Sequence, residues 1–435
     1  MKLYDFQSHD LNQFWWKECN GRGILGWEVG LGKTFIGAHV INVFKGRGKR
    51  VLVVSPPALV LDWQENCKER GVDLIHYKKG ETDFTVCTPA TVKKIKGSYD
   101  LLIADECHRF KNHGSQQSKA FRKIAQGTEH LLMMSGTISN FRDADELLNY
   151  LWCINTSEIK NLIPRNITGY RREYCNSKML PNGGRIYYST KQGSSLVDRL
   201  IQKHTSFRKL REERSIPVFS ERIEKLDCGL KLKDIKERYE KELGIEISED
   251  YENPCVIHQL MLDNGIDYDS GKLVNTGKLE RVHEIVEGIG ESKALVWFHF
   301  REFGFELQKY LTKHGIKSEL IIGGMSDKEK DAIIAKHRAG EAQVICASLG
   351  TIAEGKNLQY CNYAITANQW FDVIKDTQAR GRIERNGQEN PMYHVRLVAK
   401  GGLEEYVMKV LTEKISKKEA NDFLIGVLQK KYGVK

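Results

Sequence analysis

Three groups of residues in this chain are of the types that act on phosphates. The first is Gly26–Trp27–Glu28–Val29–Gly30–Leu31–Gly32–Lys33–Thr34. It follows the apolar Gly23–Ile24–Leu25 and precedes helical spacing at Phe35–Ile36 and Val40–Ile41. Strand, glycine loop, Lys-Thr and helix is a layout that holds a nucleoside triphosphate. Backbone N–H groups of Gly30, Leu31 and Gly32 can converge on phosphate oxygens, and a helix N-terminus adds a favourable dipole. Lys33 has the reach for the β- and γ-phosphates, and Thr34 carries a hydroxyl suited to Mg2+. Trp27 stands where the loop pattern begins with Gly, so a glycine-rich turn with a coincidental Lys-Thr stays open as an alternative.

The second group is Asp105–Glu106–Cys107–His108, at the end of the apolar run Leu101–Ala104. A carboxylate pair there, downstream of such a loop, suits metal-assisted phosphoryl transfer. Asp105 would hold Mg2+, and Glu106 would orient and deprotonate the attacking water. Cys107 and His108 have no partner cluster around them, so His108 is expected to hydrogen-bond beside the nucleotide or between lobes rather than bind metal. The third group is Gln378–Ala379–Arg380–Gly381–Arg382–Ile383–Glu384–Arg385–Asn386–Gly387–Gln388. Arg382 and Arg385 are spaced to share one face of a helix. Guanidinium groups stabilise charge developing on a transferred phosphate. Taken alone, the element reads as a charged surface helix.

Positioning these groups requires buried strands. Ile24–Leu25, Val51–Val54, Phe84–Cys87, Leu101–Ala104 and Leu131–Met134 are short apolar runs separated by amphipathic stretches. Ala294–Phe298, Leu320–Ile322, Val344–Ala347, Tyr363–Ala367 and Tyr393–Val398 repeat the rhythm. The pattern predicts two α/β units with parallel sheets, whose strand ends build ligand sites. Between them strand signals fade: Asp143–Trp152 and Leu230–Leu243 have helical character. Lys203–Arg214 gathers basic residues around Phe207 and Leu210, which fits a solvated helix face or a contact with DNA or a lobe. Leu403, Tyr406, Val407, Val410 and Leu411 have helical spacing.

Bulk properties narrow the classes. A length of 435 residues allows two or three domains. No run approaches the ~20 apolar residues of a membrane span, and the N-terminus lacks a signal-peptide core, so an intracellular protein is expected, in the cytoplasm or nucleoid of its cell or made by a virus in its host. The cysteines lack Cys-x-x-Cys spacing, which argues against a zinc site or disulfide framework. The net charge of +10 fits a polyanionic partner, although mild basicity also serves solubility.

Taken in order along the chain, the three groups and Ser135–Gly136–Thr137 resemble the helicase-like ATPases of superfamily 2, and among them the Swi/Snf-type DNA translocases. Glu28–Thr34 is similar to that family's Asp/Glu-Met-Gly-Leu-Gly-Lys-Thr, which does not keep Gly at the position of Trp27. Leu3–Tyr4–Asp5–Phe6–Gln7 resembles its N-terminal motif, which implies that Gln7 reads adenine. Val53–Pro56 with Trp63, Asp105–His108 with Lys111–Asn112, Leu295–Phe298, Glu354–Leu358 and Arg382–Gln388 resemble further motifs. Ala367–Asn368–Gln369–Trp370–Phe371 departs from the family's Asp-x-x-Trp-Asn.

The resemblance implies two RecA-like lobes in tandem. Residues 1–215 would form the first, with a helical insertion at about 140–215. Residues 216–435 would form the second, with an insertion at about 225–275 and a C-terminal helix. It implies ATP and Mg2+ as cofactors, with Lys33, Asp105, Glu106, Arg382 and Arg385 catalytic and Gln378 among the nucleotide-binding residues. It implies double-stranded DNA as partner, with Ser55, Thr88, Ser348 and Asn357 placed to hold backbone phosphates. The expected function is ATP hydrolysis coupled to translocation on duplex DNA. A strand-separating helicase of the same superfamily and an ATP-binding scaffold in a repair or restriction assembly are the alternatives. The lack of a recognisable chromatin-reader, nuclease or zinc module points to a minimal motor.

Overall fold

The computed structural model describes residues 3–136, 138, 144–179, 185–229, 256–267, 270–352 and 357–413. The chain divides into two compact units, Met1–Ser215 and Ile216–Lys435, and each is built on its own parallel sheet.

The first unit contains β1 (Arg22–Trp27), β2 (Val51–Val54), β3 (Ile75–His76), β4 (Phe84–Cys87), β5 (Leu101–Asp105), β6 (His130–Met134) and β9 (Thr205–Arg208) in the spatial order β3-β4-β2-β5-β6-β1-β9. β2 and β5 are buried along their whole length. That follows from their composition: parallel strands covered on both faces are near-continuous apolar runs. An antiparallel hairpin, β7 (Cys175–Met179) and β8 (Arg185–Ser189), lies within residues 140–215 beside helices such as Ala144–Ile154 and Lys191–Lys203.

The five apolar runs of this half are strands, and β3 and β9 add edges that composition did not announce. β9 corrects the reading of Lys203–Arg214 as a helix face. Thr205–Arg208 pairs in parallel with Ile24–Trp27, so Phe207 lies opposite Gly26. A Cβ on Gly26 would come within 2.9 Å of both Phe207 and Thr205, so only Gly admits this close strand.

In the second unit β10 (Phe219–Leu226), β11 (Ala294–Phe298), β12 (Ser318–Ile321), β13 (Val344–Ser348), β14 (Tyr363–Thr366) and β15 (Met392–Ala399) run parallel in the order β10-β15-β14-β11-β13-β12. β10 is a further strand that its half-charged sequence concealed. The expected helix Leu230–Leu243 lies outside the described residues, as do Thr137 and residues 354–356.

Beneath the C-terminal helix Leu403–Glu413 the second unit buries a polar cluster. Lys278 Nζ donates to Glu404 Oε2 at 2.6 Å, Asn264 Oδ1 at 2.7 Å and Ala367 O at 2.7 Å. Side-chain exposure is 1% for Lys278 and 0% for Glu404. Glu404 also accepts from the backbone N–H groups of Gln369 and Ala399. Asn368 Nδ2 donates to Asn264 Oδ1 at 2.6 Å. The departure Asn368–Gln369 from the family pattern is thus absorbed into a satisfied interior network. Removing one charge strands the other in a medium that cannot solvate it. Lys278→Met is expected to cost roughly 3–5 kcal/mol in denaturant unfolding; a loss below about 1 kcal/mol would show that the cluster is not energetically coupled.

His337, fully buried, donates from Nε2 to Gln343 O at 3.0 Å and accepts the Tyr360 hydroxyl at Nδ1, 2.8 Å away. Burial holds its pKa down to about 4. The unfolded chain takes up this proton near pH 6.5 and the folded chain does not, so stability falls as pH drops from about 6.5 towards 4. The loss is roughly 3 kcal/mol over that interval. Unfolding curves recorded across it should show the decline, and His337→Gln should flatten it.

Candidate functional site

In the first unit three adjacent parallel strands, β1, β6 and β5, deliver the phosphate-type residues to one sheet edge. β1 runs into the glycine loop, β6 ends just before Ser135, and β5 ends at Asp105. Gly30 and Gly32 have φ of +92° and +80°, a left-handed backbone that side chains resist. The loop therefore curls tightly before the helix Lys33–Gly46 begins. Lys33 Nζ donates back to Trp27 O at 2.8 Å and Glu28 O at 3.2 Å, so its ammonium group lies inside the curl. Thr34 follows it, half-buried, in the first turn.

Gln7, 1% exposed, braces the loop from the N-terminal segment. Its Nε2 donates to Leu31 O at 2.9 Å, and its Oε1 accepts the Tyr4 N–H at 3.0 Å. Both ends of the amide therefore hold protein groups, and one of those groups is the glycine loop itself.

Asp105 is 2% exposed. Trp63 Nε1 donates to its Oδ2 at 2.8 Å, and the Glu106 N–H donates to its Oδ1 at 3.0 Å. Burial, then the neighbouring Glu106 charge, push its pKa up; Trp63 and Lys33 oppose them. Trp63 comes from the helix Val60–Lys68 and packs on Gly37, where a Cβ would lie 2.4 Å from the indole. Glu106 has φ +49°, the left-handed conformation on a residue that is not Gly. Such strain persists where surroundings over-determine it, commonly at sites that do chemistry. Its Oε2 lies 3.1 Å from His108 Nδ1 and 3.3 Å from Ser135 Oγ, which are themselves 3.1 Å apart.

In the second unit the helix Val373–Arg380 ends before either candidate arginine. Arg382 and Arg385 lie in the turns that follow, so the expectation of one shared helix face is corrected. The Gly381 N–H still bonds to Thr377 O at 3.0 Å, and the Arg382 N–H then bonds to Ala379 O at 3.0 Å, a tighter turn that ends the helix. Arg382 is 5% exposed, Arg385 is half-buried, and the Leu358 N–H donates to Arg382 O at 3.3 Å. Gln378 is 7% exposed on the helix. The helix is bolted to β15 by Arg396, whose two terminal nitrogens bind Asp376 at 2.7 and 2.8 Å while Nε binds Glu221 at 2.8 Å.

The four residues expected to hold DNA phosphates fare differently. Ser55 is fully buried at the end of β2, and its hydroxyl has no hydrogen-bond partner among the described residues. A phosphate outside cannot reach it, so that expectation is corrected. Thr88 is half-buried and engaged with Thr91, Oγ1 to Oγ1 at 3.0 Å. Ser348 is half-buried at the end of β13, and Asn357 is exposed. No group of three or more His, Cys, Asp or Glu side chains gathers as a metal cluster among the described residues. No described helix is long and apolar enough to cross a membrane.

Comparison with known proteins gives two family matches. Residues 1–140 match the Type III restriction enzyme, res subunit, and residues 277–387 match the Helicase conserved C-terminal domain. An "Uncharacterized ATP-dependent helicase YqhH" of Bacillus subtilis is 25% identical over 92% of this chain and 76% of its own length. A "Putative ATP-dependent helicase/translocase YwqA" of the same organism is 24% identical over 97% of this chain and 49% of its own. The SWI/SNF-related matrix-associated actin-dependent regulator of chromatin subfamily A-like protein 1 of Xenopus tropicalis is 22% identical over 91% of this chain and 42% of its own. The chain therefore spans three quarters of the first of these relatives and about half or less of the other two. A solved Sulfolobus solfataricus SWI2/SNF2 ATPase core in complex with dsDNA aligns with a TM-score of 0.43 at 18% identity, covering 97% of this chain and 92% of that one.

Proposed function

We propose that the chain is a Swi/Snf-type helicase-like ATPase of superfamily 2 that couples ATP hydrolysis to translocation on double-stranded DNA without efficient strand separation, a reading supported by its two helicase-type family matches and its helicase relatives. The observation that carries the catalytic part is the convergence of Lys33, Ser135, Asp105 and Glu106 at the ends of three neighbouring strands. Lys33 and the loop N–H groups of Gly30, Leu31 and Gly32 bind the phosphates, and Gln7 fixes the loop under the nucleotide. Glu106 takes a proton from the attacking water, and its contacts with Ser135 and His108 aim its carboxylate.

The residues present fit a magnesium ion. Asp105 is a buried carboxylate kept from water and raised in pKa by burial, which a cation would relieve. Mg2+ takes one or two protein oxygens and otherwise water and substrate phosphates, so Thr34 and Asp105 suffice. When bound, it neutralises charge on the β- and γ-phosphates.

We assign Arg382 and Arg385 to charge stabilisation on the transferred phosphoryl group, with Gln378 as a nucleotide-binding residue. Arg385→Ala should lower turnover by roughly 10³-fold or more; unchanged turnover removes Arg385 from that role. Thr88, Ser348 and Asn357 are proposed contacts to DNA backbone, which would give sequence-independent tracking. The testing experiment offers the protein ATP with two substrates: a triplex whose third strand lies along a duplex, and a forked duplex. Third-strand displacement with the fork left paired supports translocation. Efficient separation of the fork favours the strand-separating reading.

A further inference from the structure

The position of Trp27 marks a device that the nucleotide loop's own residues do not account for. Trp27 is fully buried, and its indole N–H donates to Asp10 Oδ2 at 3.0 Å. Asp10 is itself buried, with side-chain exposure of 2%. Arg208 closes on it with two parallel bonds, Nε to Oδ2 at 3.0 Å and Nη2 to Oδ1 at 2.5 Å. The Ser206 hydroxyl also donates to Asp10 Oδ2. The remaining Arg208 nitrogen, Nη1, binds Glu213 at 2.9 Å, and the Leu210 N–H donates to Glu28 Oε2 at 2.8 Å. Phe6 packs edge-on against Trp27 with ring centroids 5.4 Å apart.

Three distant pieces of the chain therefore meet behind the loop: the N-terminal helical segment, the end of β1 and the strand β9. Trp27 is held at both ends. Its indole is fixed by Asp10, and its carbonyl accepts the Lys33 ammonium at 2.8 Å. The same N-terminal segment supplies Gln7 to Leu31 O. A planar guanidinium gripping a buried carboxylate in two bonds has a fixed geometry that an ammonium group does not reproduce.

We propose that Asp10, Trp27 and Arg208 form a positioning clamp that sets the glycine loop, and with it Lys33 and Gln7, in the conformation that binds the triphosphate. The proposal rests on the reading of this loop as the ATP site. It makes β9, the last strand of the first unit, part of the nucleotide site's support through its pairing with Ile24–Trp27. Binding energy then depends on a strand about 180 residues downstream of the loop it serves.

The test uses the full-length chain and direct titration with a fluorescent ATP analogue, together with steady-state ATP turnover. Trp27→Phe keeps an aromatic ring and removes the indole donor together with part of the buried ring volume. Arg208→Lys keeps the charge and loses the two-bond grip. Each is expected to weaken nucleotide binding by about tenfold, to act on KM more than on kcat, and to leave the melting temperature of the nucleotide-free protein within a few degrees. Because both act through Asp10, the double variant should bind no more weakly than the worse single one. Wild-type affinity in either single variant overturns the clamp, and so do losses that multiply in the double. Should Trp27→Phe fail to fold, Asp10→Asn replaces it in the same comparison. Failure of the wild-type protein to bind the analogue would instead overturn the ATP-site reading itself.

Discussion

Lys33→Ala is expected to abolish ATP turnover and to weaken nucleotide binding by roughly 10²–10³-fold. Charge-assisted hydrogen bonds to phosphate contribute about 1.5–3 kcal/mol each, and Lys33 would make more than one. The second part of the loss comes from the loop. Lys33 Nζ ties together Trp27 O and Glu28 O, so its removal loosens the curl that aims the backbone N–H groups. Stability should change little, because the side chain is only half-buried. Isothermal titration with ATP and a turnover assay separate the two parts. A variant that binds ATP as tightly as the wild type would remove Lys33 from the phosphate site.

Glu106→Gln is expected to do the opposite to binding and nearly the same to turnover. Glutamine keeps the shape and the hydrogen-bonding reach to Ser135 and His108 but does not take up a proton. Turnover should fall by roughly 10²–10⁴-fold, the usual worth of a positioned general base. ATP affinity should hold or tighten, since the Glu106 charge is one of the influences that raise the Asp105 pKa. Without it, Asp105 ionises more readily and is better suited to a cation. The left-handed backbone at residue 106 is equally open to glutamine, so the melting temperature should be preserved. Substantial residual turnover would reassign the base to another residue.

What the sequence made legible was the part of the molecule whose signals are local. β2 and β11 are unbroken apolar runs, β5 is one up to Asp105, and their burial follows from that. Asp105 and Ser135 were identifiable because each sits where such a run stops. The edge strands were not legible. β10 reads Phe-Ser-Glu-Arg-Ile-Glu-Lys-Leu: its apolar residues Phe219, Ile223 and Leu226 do not alternate, and charge outweighs apolar content on an edge strand that is largely open to water. β9 is only Thr-Ser-Phe-Arg, and its basic neighbours disguised it.

The site was legible in its residues and not in their support. Nothing near Trp27 in sequence says that its indole meets Asp10, or that Arg208 completes the pair, because both contacts are made by folding. The strained backbone at Glu106 was equally hidden. Arg382 and Arg385 were read through helical spacing, but the three-residue bonds that begin at the Arg382 N–H replace the helical pattern with turns. Ser55 carried the right chemistry at the right strand end, and burial removed it from any phosphate.

The central claim is that ATP hydrolysis by this chain is driven by duplex DNA. ATP turnover measured without nucleic acid, with plain double-stranded DNA, with single-stranded DNA and with single-stranded RNA tests it most directly. The account predicts strong stimulation by the duplex and much weaker stimulation by either single strand. Equal or greater stimulation by single-stranded RNA would contradict it.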